Sequence, residues 1–212
     1  MTDTISDPAK ERLLQLLQLL EEHVINGNSG PVTSAQAEFL TGWPRDTIRK
    51  DISGLETGAI GGSAGYEPEV LIPLIKRALG LDRRRKICVV GLGRLGSAFL
   101  NLTTQELAEF EIAAGFDSNV NRVEILQSQA PLYPAYKMAE VIGRFGIEAA
   151  LLCVPAAAAQ TVAEKCFAAG IRGILNFAPV ALKLPQELTV RNVYVTNELR
   201  SLSVKMKEHT AY

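Results

Sequence analysis

The sequence predicts an α/β protein: an N-terminal helix-turn-helix domain over residues 1–80, a doubly wound parallel sheet over residues 81–198, and a C-terminal helix over residues 199–212. Leucines at helical spacing dominate the start of the first region, and two short helical segments there flank a glycine turn. In the second region, short apolar runs typical of buried strands alternate with helical segments. A glycine-rich motif joins the first of those strands to a helix.

The composition is that of an ordinary globular protein. With 212 residues, 47% of them hydrophobic, the chain is large enough for two domains with their own cores. The net charge of −1 does not by itself indicate a nucleic acid or a membrane surface as partner. The spacings of Cys88, Cys153 and Cys166 fit neither a disulfide framework nor a zinc site, so we expect no metal. Because we find no signal peptide and no membrane-length apolar run, we expect a soluble, cytoplasmic protein.

The N-terminal region contains four predicted helices, over about residues 8–24, 33–40, 45–52 and 68–79. Thr33 and Gln36 fit a capping box at the start of the second helix. Pro44 lies at the start of the third helix, where proline is favoured, and the second and third helices form the helix-turn-helix. The glycine-rich segment 58–66 is either the hairpin of a winged helix or a flexible linker.

The central feature of the sheet domain is the motif that follows the buried strand of residues 86–90. Gly91 makes the tight turn, Gly93 lets a pyrophosphate approach the backbone, and Gly96 lets the next helix pack closely on the strand. The N-terminus of that helix offers unpaired N–H groups and a positive dipole end to phosphates. The sequence therefore predicts a phosphate-binding loop made of Gly91, Leu92, Gly93, Arg94, Leu95 and Gly96.

Asp117 ends the next strand-like run, about 20 residues beyond the last glycine of the motif. A carboxylate at this place binds ribose hydroxyls and repels a 2′-phosphate, which favours NAD(H) over NADP(H). Val154 and Pro155 end a further buried strand, over residues 147–154, at the sheet edge where ligands of open parallel sheets lie. We therefore predict an NAD(H) site formed by the glycine loop, Asp117, Val154 and Pro155; the alternative is a purely structural glycine turn.

The remaining predicted elements complete an alternating pattern. They are helices over about residues 135–145 and 156–169, strands over 173–177 and 193–195, and a terminal helix from 199 to about 207. A short element flanked by prolines lies near Tyr133, and we expect a polar loop between Asp117 and that element.

Together these residues resemble the Rex family of redox-sensing transcriptional repressors, over nearly the whole chain. The resemblance lies in residues 47–51, 79–81, 91–96, 116–117, 154–155 and 159–160, and above all in the specific run 170–180. It implies an N-terminal winged helix that binds double-stranded operator DNA, and a Rossmann domain that reads the NADH/NAD⁺ ratio. It also implies a homodimer in which the C-terminal helix, around Leu199, Leu202 and Met206, is swapped into the partner.

A repressor of this kind would contact DNA through the third helix. Arg45, Arg49 and Lys50 cluster there and suit phosphate contacts or guanine recognition in the major groove. With Ser34 and Thr47 they form the predicted DNA-binding set. The N-terminal region nevertheless holds 7 basic against 11 acidic residues, whereas a DNA-binding module normally shows a basic footprint.

Four positions depart from the family's pattern. The side chains that form a state-dependent network in the family correspond here to Gln18, Leu102 and Tyr194, and Val195 stands where a phenylalanine covers the nicotinamide pocket. These side chains do not rebuild a charge-assisted network, so we expect weak or absent coupling between NADH binding and DNA release. The segment 61–66 also lacks the basic residue of the family's wing.

Two other functions remain open. A dehydrogenase needs a proton donor or acceptor beside the nicotinamide, but His23 and His209 lie outside the strand ends of the sheet domain and we identify no catalytic residue. A CoA-binding or other nucleotide-binding interaction module uses similar loops. We therefore predict an NAD(H)-binding repressor rather than an enzyme, with a redox-insensitive relative as the alternative.

Overall fold

The structure is a computed structural model that describes residues 5–28, 30–55 and 65–210. The chain divides into two compact units, residues 1–83 and 84–212. In the described ranges, the first unit contains helices and one isolated β-bridge, and the second contains the sheet.

The described part of the N-terminal unit has four helices, close to the predicted bounds: α1 (Asp7–Ile25), α2 (Ser34–Thr41), α3 (Arg45–Ser53) and α4 (Pro68–Ala78). The spacing of apolar residues on α1 predicts the face that is buried. Leu13, Leu16, Leu17 and Leu20 pack in one core with apolar side chains of the other helices, among them Ile48, Ile52, Leu71 and Ile75. Most of the stability of this unit therefore comes from packing of amphipathic faces rather than from helix propensity.

The start of α2 has the predicted capping box. The Thr33 hydroxyl accepts a hydrogen bond from the Gln36 N–H at 3.2 Å, and the Gln36 side chain accepts one from the Thr33 N–H at 2.8 Å. Gly42, with φ of 73°, ends α2 in a left-handed conformation that glycine adopts without strain. The α2–turn–α3 segment is thus the predicted helix-turn-helix.

The predicted wing, 58–66, lies mostly outside the described residues. Of its two described residues, Tyr66 forms an antiparallel bridge with Val32. The Val32 N–H donates to the Tyr66 carbonyl at 2.8 Å, and the Tyr66 N–H donates to the Val32 carbonyl at 2.9 Å. This bridge ties the end of the glycine-rich segment to the residue just before the α2 cap.

The second unit is built on a six-stranded parallel sheet. Its strands are β1 (Arg85–Val90), β2 (Phe110–Asp117), β3 (Leu132–Pro134), β4 (Ala149–Leu152), β5 (Gly173–Asn176) and β6 (Thr189–Asn192). The strand order is β3-β2-β1-β4-β5-β6, and every neighbouring pair is parallel. This is the doubly wound order of dinucleotide-binding sheets, in which the order reverses between β1 and β4. The predicted fold class is therefore confirmed for the sheet domain.

Over residues 84–210, six helices accompany the sheet: α5 (Arg94–Phe99), α6 (Thr104–Leu107), α7 (Val120–Ile125), α8 (Met138–Phe145), α9 (Ala156–Ala168) and α10 (Val195–Thr210). A 3₁₀ turn, Ala135–Lys137, leads into α8. The prediction of a polar loop after Asp117 is wrong, because the segment that follows Asp117 contains the helix α7. The Asn119 side chain caps this helix by accepting a hydrogen bond from the Arg122 N–H at 3.3 Å. Asparagine is a favoured residue at the start of a helix, so the sequence carries a local signal for α7.

The predicted strand at 193–195 is also wrong. The last strand is β6, four residues earlier, and Val195 already begins α10, which starts before the predicted residue 199. The position of β6 is defined by its parallel pairing with β5, in which Asn176 pairs with Asn192. Because β6 is an edge strand whose residues are mostly exposed, it lacks the apolar pattern by which strands are recognised.

Helix α10 carries apolar side chains that its own chain leaves exposed. Val195, Leu199, Leu202, Val204 and Met206 are between 55% and 67% exposed. Four of them, Val195, Leu199, Leu202 and Met206, recur at helical spacing and lie on one face of α10. No described helix is long and apolar enough to cross a bilayer.

Candidate functional site

The glycine motif lies at the carboxyl end of β1, where two of its glycines are required by the fold itself. Gly91 has φ of 92°, and a Cβ there would lie 2.7 Å from the Cys153 carbonyl oxygen. A Cβ on Gly96 would collide with the Gly91 carbonyl group and lie 3.3 Å from a methyl group of Val89. These two positions therefore allow the tight turn and the close approach of α5 to β1, as predicted.

Gly93 is different, because the fold does not need it. Its φ is −71°, which any residue adopts, and an added Cβ would meet no heavy atom within 4 Å. The backbone at Gly93 borders open space. This is the geometry expected where a ligand, rather than the protein, comes close to the chain.

A cavity of about 960 Å³ opens beside this turn, near the upper end of the range for small-molecule sites. Five of the predicted cofactor residues line it: Gly91, Gly93, Asp117, Val154 and Pro155. Leu92 and Gly96 are instead buried, and Arg94 and Leu95 are exposed on the first turn of α5. The cavity continues along the 3₁₀ turn, α8 and α9 through Tyr136, Ala139, Ala158 and Lys165.

Asp117 lies at the end of β2 with only 5% of its surface exposed. One carboxylate oxygen accepts from the Leu92 N–H at 2.7 Å and from Arg122 Nη1 at 2.9 Å, and the other accepts from the Asn119 N–H at 2.8 Å. Burial acts to raise its pKa, but the hydrogen bonds from Asn119, Arg122 and Leu92 outweigh burial and hold the pKa below its usual value. The ionised carboxylate therefore fixes the glycine turn.

The sequence did not predict Arg122 as a site residue. It lies on α7 and lines the cavity, its side chain 45% exposed, while Nη1 pairs with Asp117. The sequence signal that points to it is its position five residues after Asp117, just beyond the Asn119 cap. The cation is more exposed than the carboxylate that it neutralises.

Asn176, which lies in the specific run 170–180, is fully buried. Its amide nitrogen donates to the Val180 carbonyl and to Asn192 Oδ1, each at 2.9 Å, and its oxygen accepts from the Ala178 N–H at 3.0 Å. The Tyr194 hydroxyl donates to the same Val180 carbonyl at 2.9 Å. This network joins β5, the turn after it, β6 and the start of α10.

Gln18, which we predicted to stand in place of one residue of the family's network, bonds within its own helix. Its side-chain nitrogen donates to Glu22 Oε1 at 2.9 Å. Leu102 lies half-buried just after α5, and Val195 is exposed at the start of α10.

The predicted DNA-binding residues divide by exposure. Arg45, Arg49 and Lys50 are exposed on α3. Arg45 Nε lies 3.0 Å from Glu38 Oε2, and Arg49 Nη1 lies 3.5 Å from Asp46 Oδ1; such exposed pairs are weak and can exchange for phosphate contacts. Thr47 is half-buried and Ser34 is 8% exposed, so Ser34 presents little surface to a partner.

Asp51, which lies in the run 47–51 that resembles the Rex family, has a structural role in α3. Arg12 of α1 donates to both of its carboxylate oxygens, at 2.6 and 2.9 Å, in a geometry that favours strong pairing. The guanidinium carbon of Arg12 lies 5.7 Å from the centre of the Trp43 ring, and the Trp43 indole N–H donates to Gln15 at 2.7 Å. These contacts fix α3 and the preceding turn against α1.

Comparison with known proteins finds one matching family model and several similar repressors. Residues 82–180 match the model of the CoA binding domain family. The chain is 38% identical to the redox-sensing transcriptional repressor Rex of Levilactobacillus brevis over 157 residues, 74% of this chain and 73% of the relative. It is 36% identical to the same-named protein of Limosilactobacillus reuteri over 186 residues, 87% of this chain and 86% of the relative.

Solved structures resemble the whole chain as well. The crystal structure of RSP, a Rex-family repressor, in complex with β-NAD⁺ and operator DNA superposes with a TM-score of 0.84 at 28% identity. That match covers 97% of this chain and 94% of RSP. The complex of RSP with β-NADH superposes with a TM-score of 0.83, again at 28% identity and over 97% of this chain and 96% of RSP.

Proposed function

Because this chain belongs to the Rex family of redox-sensing transcriptional repressors, we propose that it represses transcription by binding operator DNA and that it senses the NADH/NAD⁺ state. Residues 1–80 would form the DNA-binding domain, residues 81–198 the NAD(H)-binding domain and residues 199–212 the dimerisation helix.

The open space at Gly93 is the observation that best supports NAD(H) binding. Gly93 leaves room for a pyrophosphate against the backbone, while Gly91 and Gly96 shape the turn. Asp117 accepts three hydrogen bonds, so one acceptor position of its carboxylate remains for a ribose hydroxyl. Val154 and Pro155 line the same cavity at the end of β4, on the other side of the switch point.

The cavity residues favour binding over catalysis, and we assign this protein no enzymatic role. Asp117 is already bonded to three partners, which leaves it a poor proton acceptor. Burial raises the pKa of the Cys153 thiol to about 12, so this side chain of the cavity wall stays protonated near neutral pH.

The function can be tested by measuring operator affinity in band-shift experiments with DNA from upstream of the protein's own gene. We expect specific binding by wild type and at least a tenfold weaker affinity in the Arg49→Ala/Lys50→Ala variant, because that variant removes two cations that would bind phosphates. Its log–log salt slope should also be shallower, by about one unit for each phosphate that is no longer bound. A Lys10→Ala/Arg77→Ala variant removes the same charge from α1 and α4 and should bind nearly as wild type. Equal binding by the α3 variant would contradict the recognition-helix assignment.

The same measurement at saturating NADH and at saturating NAD⁺ tests redox sensing. A more than tenfold difference in operator affinity, about 1.4 kcal/mol of coupling, would support sensing. A smaller difference would support the redox-insensitive alternative, in which Gln18, Leu102 and Tyr194 would not form the family's network.

We further propose a homodimer held together by α10. Val195, Leu199, Leu202 and Met206 lie on one face of this helix and are exposed within the single chain, so a second copy would bury them. A two-fold dimer would also suit a palindromic operator.

Light scattering should give twice the chain mass of 23.0 kDa for wild type. Leu199→Asp/Leu202→Asp should produce a monomer, because it places charges in the apolar interface. Asn197→Asp/Ser201→Asp adds the same charge to the opposite side of α10 and should remain dimeric. A dimer that survives Leu199→Asp/Leu202→Asp would place the interface elsewhere.

A further inference from the structure

Helix α3 carries an exposed carboxylate on the same face as two of its cations. Asp46, Arg49 and Lys50 are spaced three and four residues apart, so they share this face, whereas Ile48 and Ile52 are buried. The Asp46 side chain is 89% exposed. Asp46 lies outside the run 47–51 that resembles the Rex family, so the resemblance assigns it no role.

We propose that Asp46 reads a base in the major groove and selects a cytosine in each half-site of the operator. The inference rests on the proposed binding of operator DNA through α3, and it adds the base that this helix recognises. Residues at the N-terminal end of a recognition helix contact base edges, and Asp46 lies in the first turn of α3.

The charge of Asp46 decides which base it accepts. The phosphates of DNA repel a carboxylate unless a base donates a hydrogen bond to it. In the major groove, the bases that donate are cytosine, through its N4 amino group, and adenine, through its N6 amino group. Adenine also presents the N7 acceptor beside its amino group, and N7 would repel the second carboxylate oxygen. Cytosine presents its amino group without such an acceptor, so the carboxylate favours cytosine.

The pairing of Asp46 with Arg49 leaves both groups able to bind DNA. Arg49 Nη1 lies 3.5 Å from Asp46 Oδ1, and the two side chains are 57% and 89% exposed, so the pair is weak. The Arg49 guanidinium suits the O6 and N7 acceptors of guanine, next to a carboxylate that suits the N4 donor of cytosine. The neighbouring cation also reduces the repulsion between Asp46 and the phosphates.

Selection from a randomised double-stranded DNA library, followed by affinity measurements on single base-pair changes, tests the proposal. We expect the full-length wild type to select a cytosine in each half-site, and replacement of that cytosine by thymine to weaken binding about fivefold or more. Asp46→Ala should lose this preference. Asp46→Asn should instead prefer adenine at the same position, because an amide donates to N7 and accepts from N6.

Asp7→Ala is the matched control, because Asp7 also lies in the first turn of its helix, is 91% exposed and pairs with a cation three residues later, Lys10. This variant should keep the wild-type base preference. The ratio of the affinities for two DNA sequences does not depend on the folded fraction, so misfolding cannot imitate a lost preference. If Asp46→Ala keeps the wild-type preference at every position, the proposal is overturned. A wild type that selects no sequence would overturn the proposed function, and this inference with it.

Discussion

Replacing Gly96 with alanine is expected to destabilise the sheet domain by about 3 kcal/mol, the upper end of the usual cost of overpacking. The added Cβ would collide with the Gly91 carbonyl oxygen and lie 3.0 Å from its carbonyl carbon. Neither group can move away easily. The Gly91 N–H is bonded to Phe116 of β2 at 2.8 Å, and the Cys153 N–H is bonded to the Val90 carbonyl at 2.8 Å, so β1 is held from both sides.

Thermal unfolding followed by far-ultraviolet circular dichroism should show this loss as a lower Tm, since each kcal/mol corresponds to roughly 2–8 °C for domains of this size. Gly143→Ala is the matched control. Gly143 is exposed within α8 and an added Cβ meets nothing within 4 Å, so alanine should leave Tm unchanged or raise it slightly. If both variants unfold at the same temperature as wild type, α5 does not need glycine to pack on β1.

The glycine turn could be predicted from sequence because its signal is local. A buried strand, three glycines and the start of a helix follow one another within residues 86–99, and each requires a particular backbone geometry. The capping box of α2 is local in the same way, with Thr33 and Gln36 satisfying each other's backbone groups.

The last strand, which sequence missed, depends on a distant partner. β6 is an exposed edge strand, defined by its register against β5 and by the Asn176–Asn192 hydrogen bond. The β-branched and aromatic residues at 193–195 have higher strand propensity, yet Tyr194 bonds to Val180 and Val195 begins α10. Tertiary hydrogen bonds outweighed local propensity there.

The candidate site shows the same limit. Sequence placed a carboxylate at the end of β2, as the structure does, but spacing does not reveal whether that carboxylate is exposed. In the structure the Asp117 carboxylate is buried, and the side chain of Arg122, its ion-pair partner, is the more exposed of the two. Asp51 of α3 likewise gave no sign of its partner in the sequence, and only the fold shows that this partner is Arg12, 39 residues away.

Asp51→Ala is expected to destabilise the N-terminal unit by about 3 kcal/mol, the lower end of the cost of breaking a buried ion pair. The side chains of Arg12 and Asp51 are 19% and 9% exposed, so the variant leaves the Arg12 cation largely buried without its partner. We expect the lower end of this energy range because the Arg12 side chain keeps some access to water. Urea unfolding followed by Trp43 fluorescence measures this loss, since Trp43 is the single tryptophan and its ring lies 5.7 Å from Arg12.

Asp46→Ala is the control, because it removes the same charge from the same helix at a side chain that is 89% exposed. Its pair with Arg49 is solvated and should contribute at most about 1 kcal/mol. An Arg12→Met/Asp51→Leu variant removes both charges and should be more stable than Asp51→Ala, because an apolar pair carries no uncompensated charge. If the double variant were the less stable of the two, the hydrogen-bonded geometry itself, and not the neutralisation of a buried charge, would hold α3 against α1.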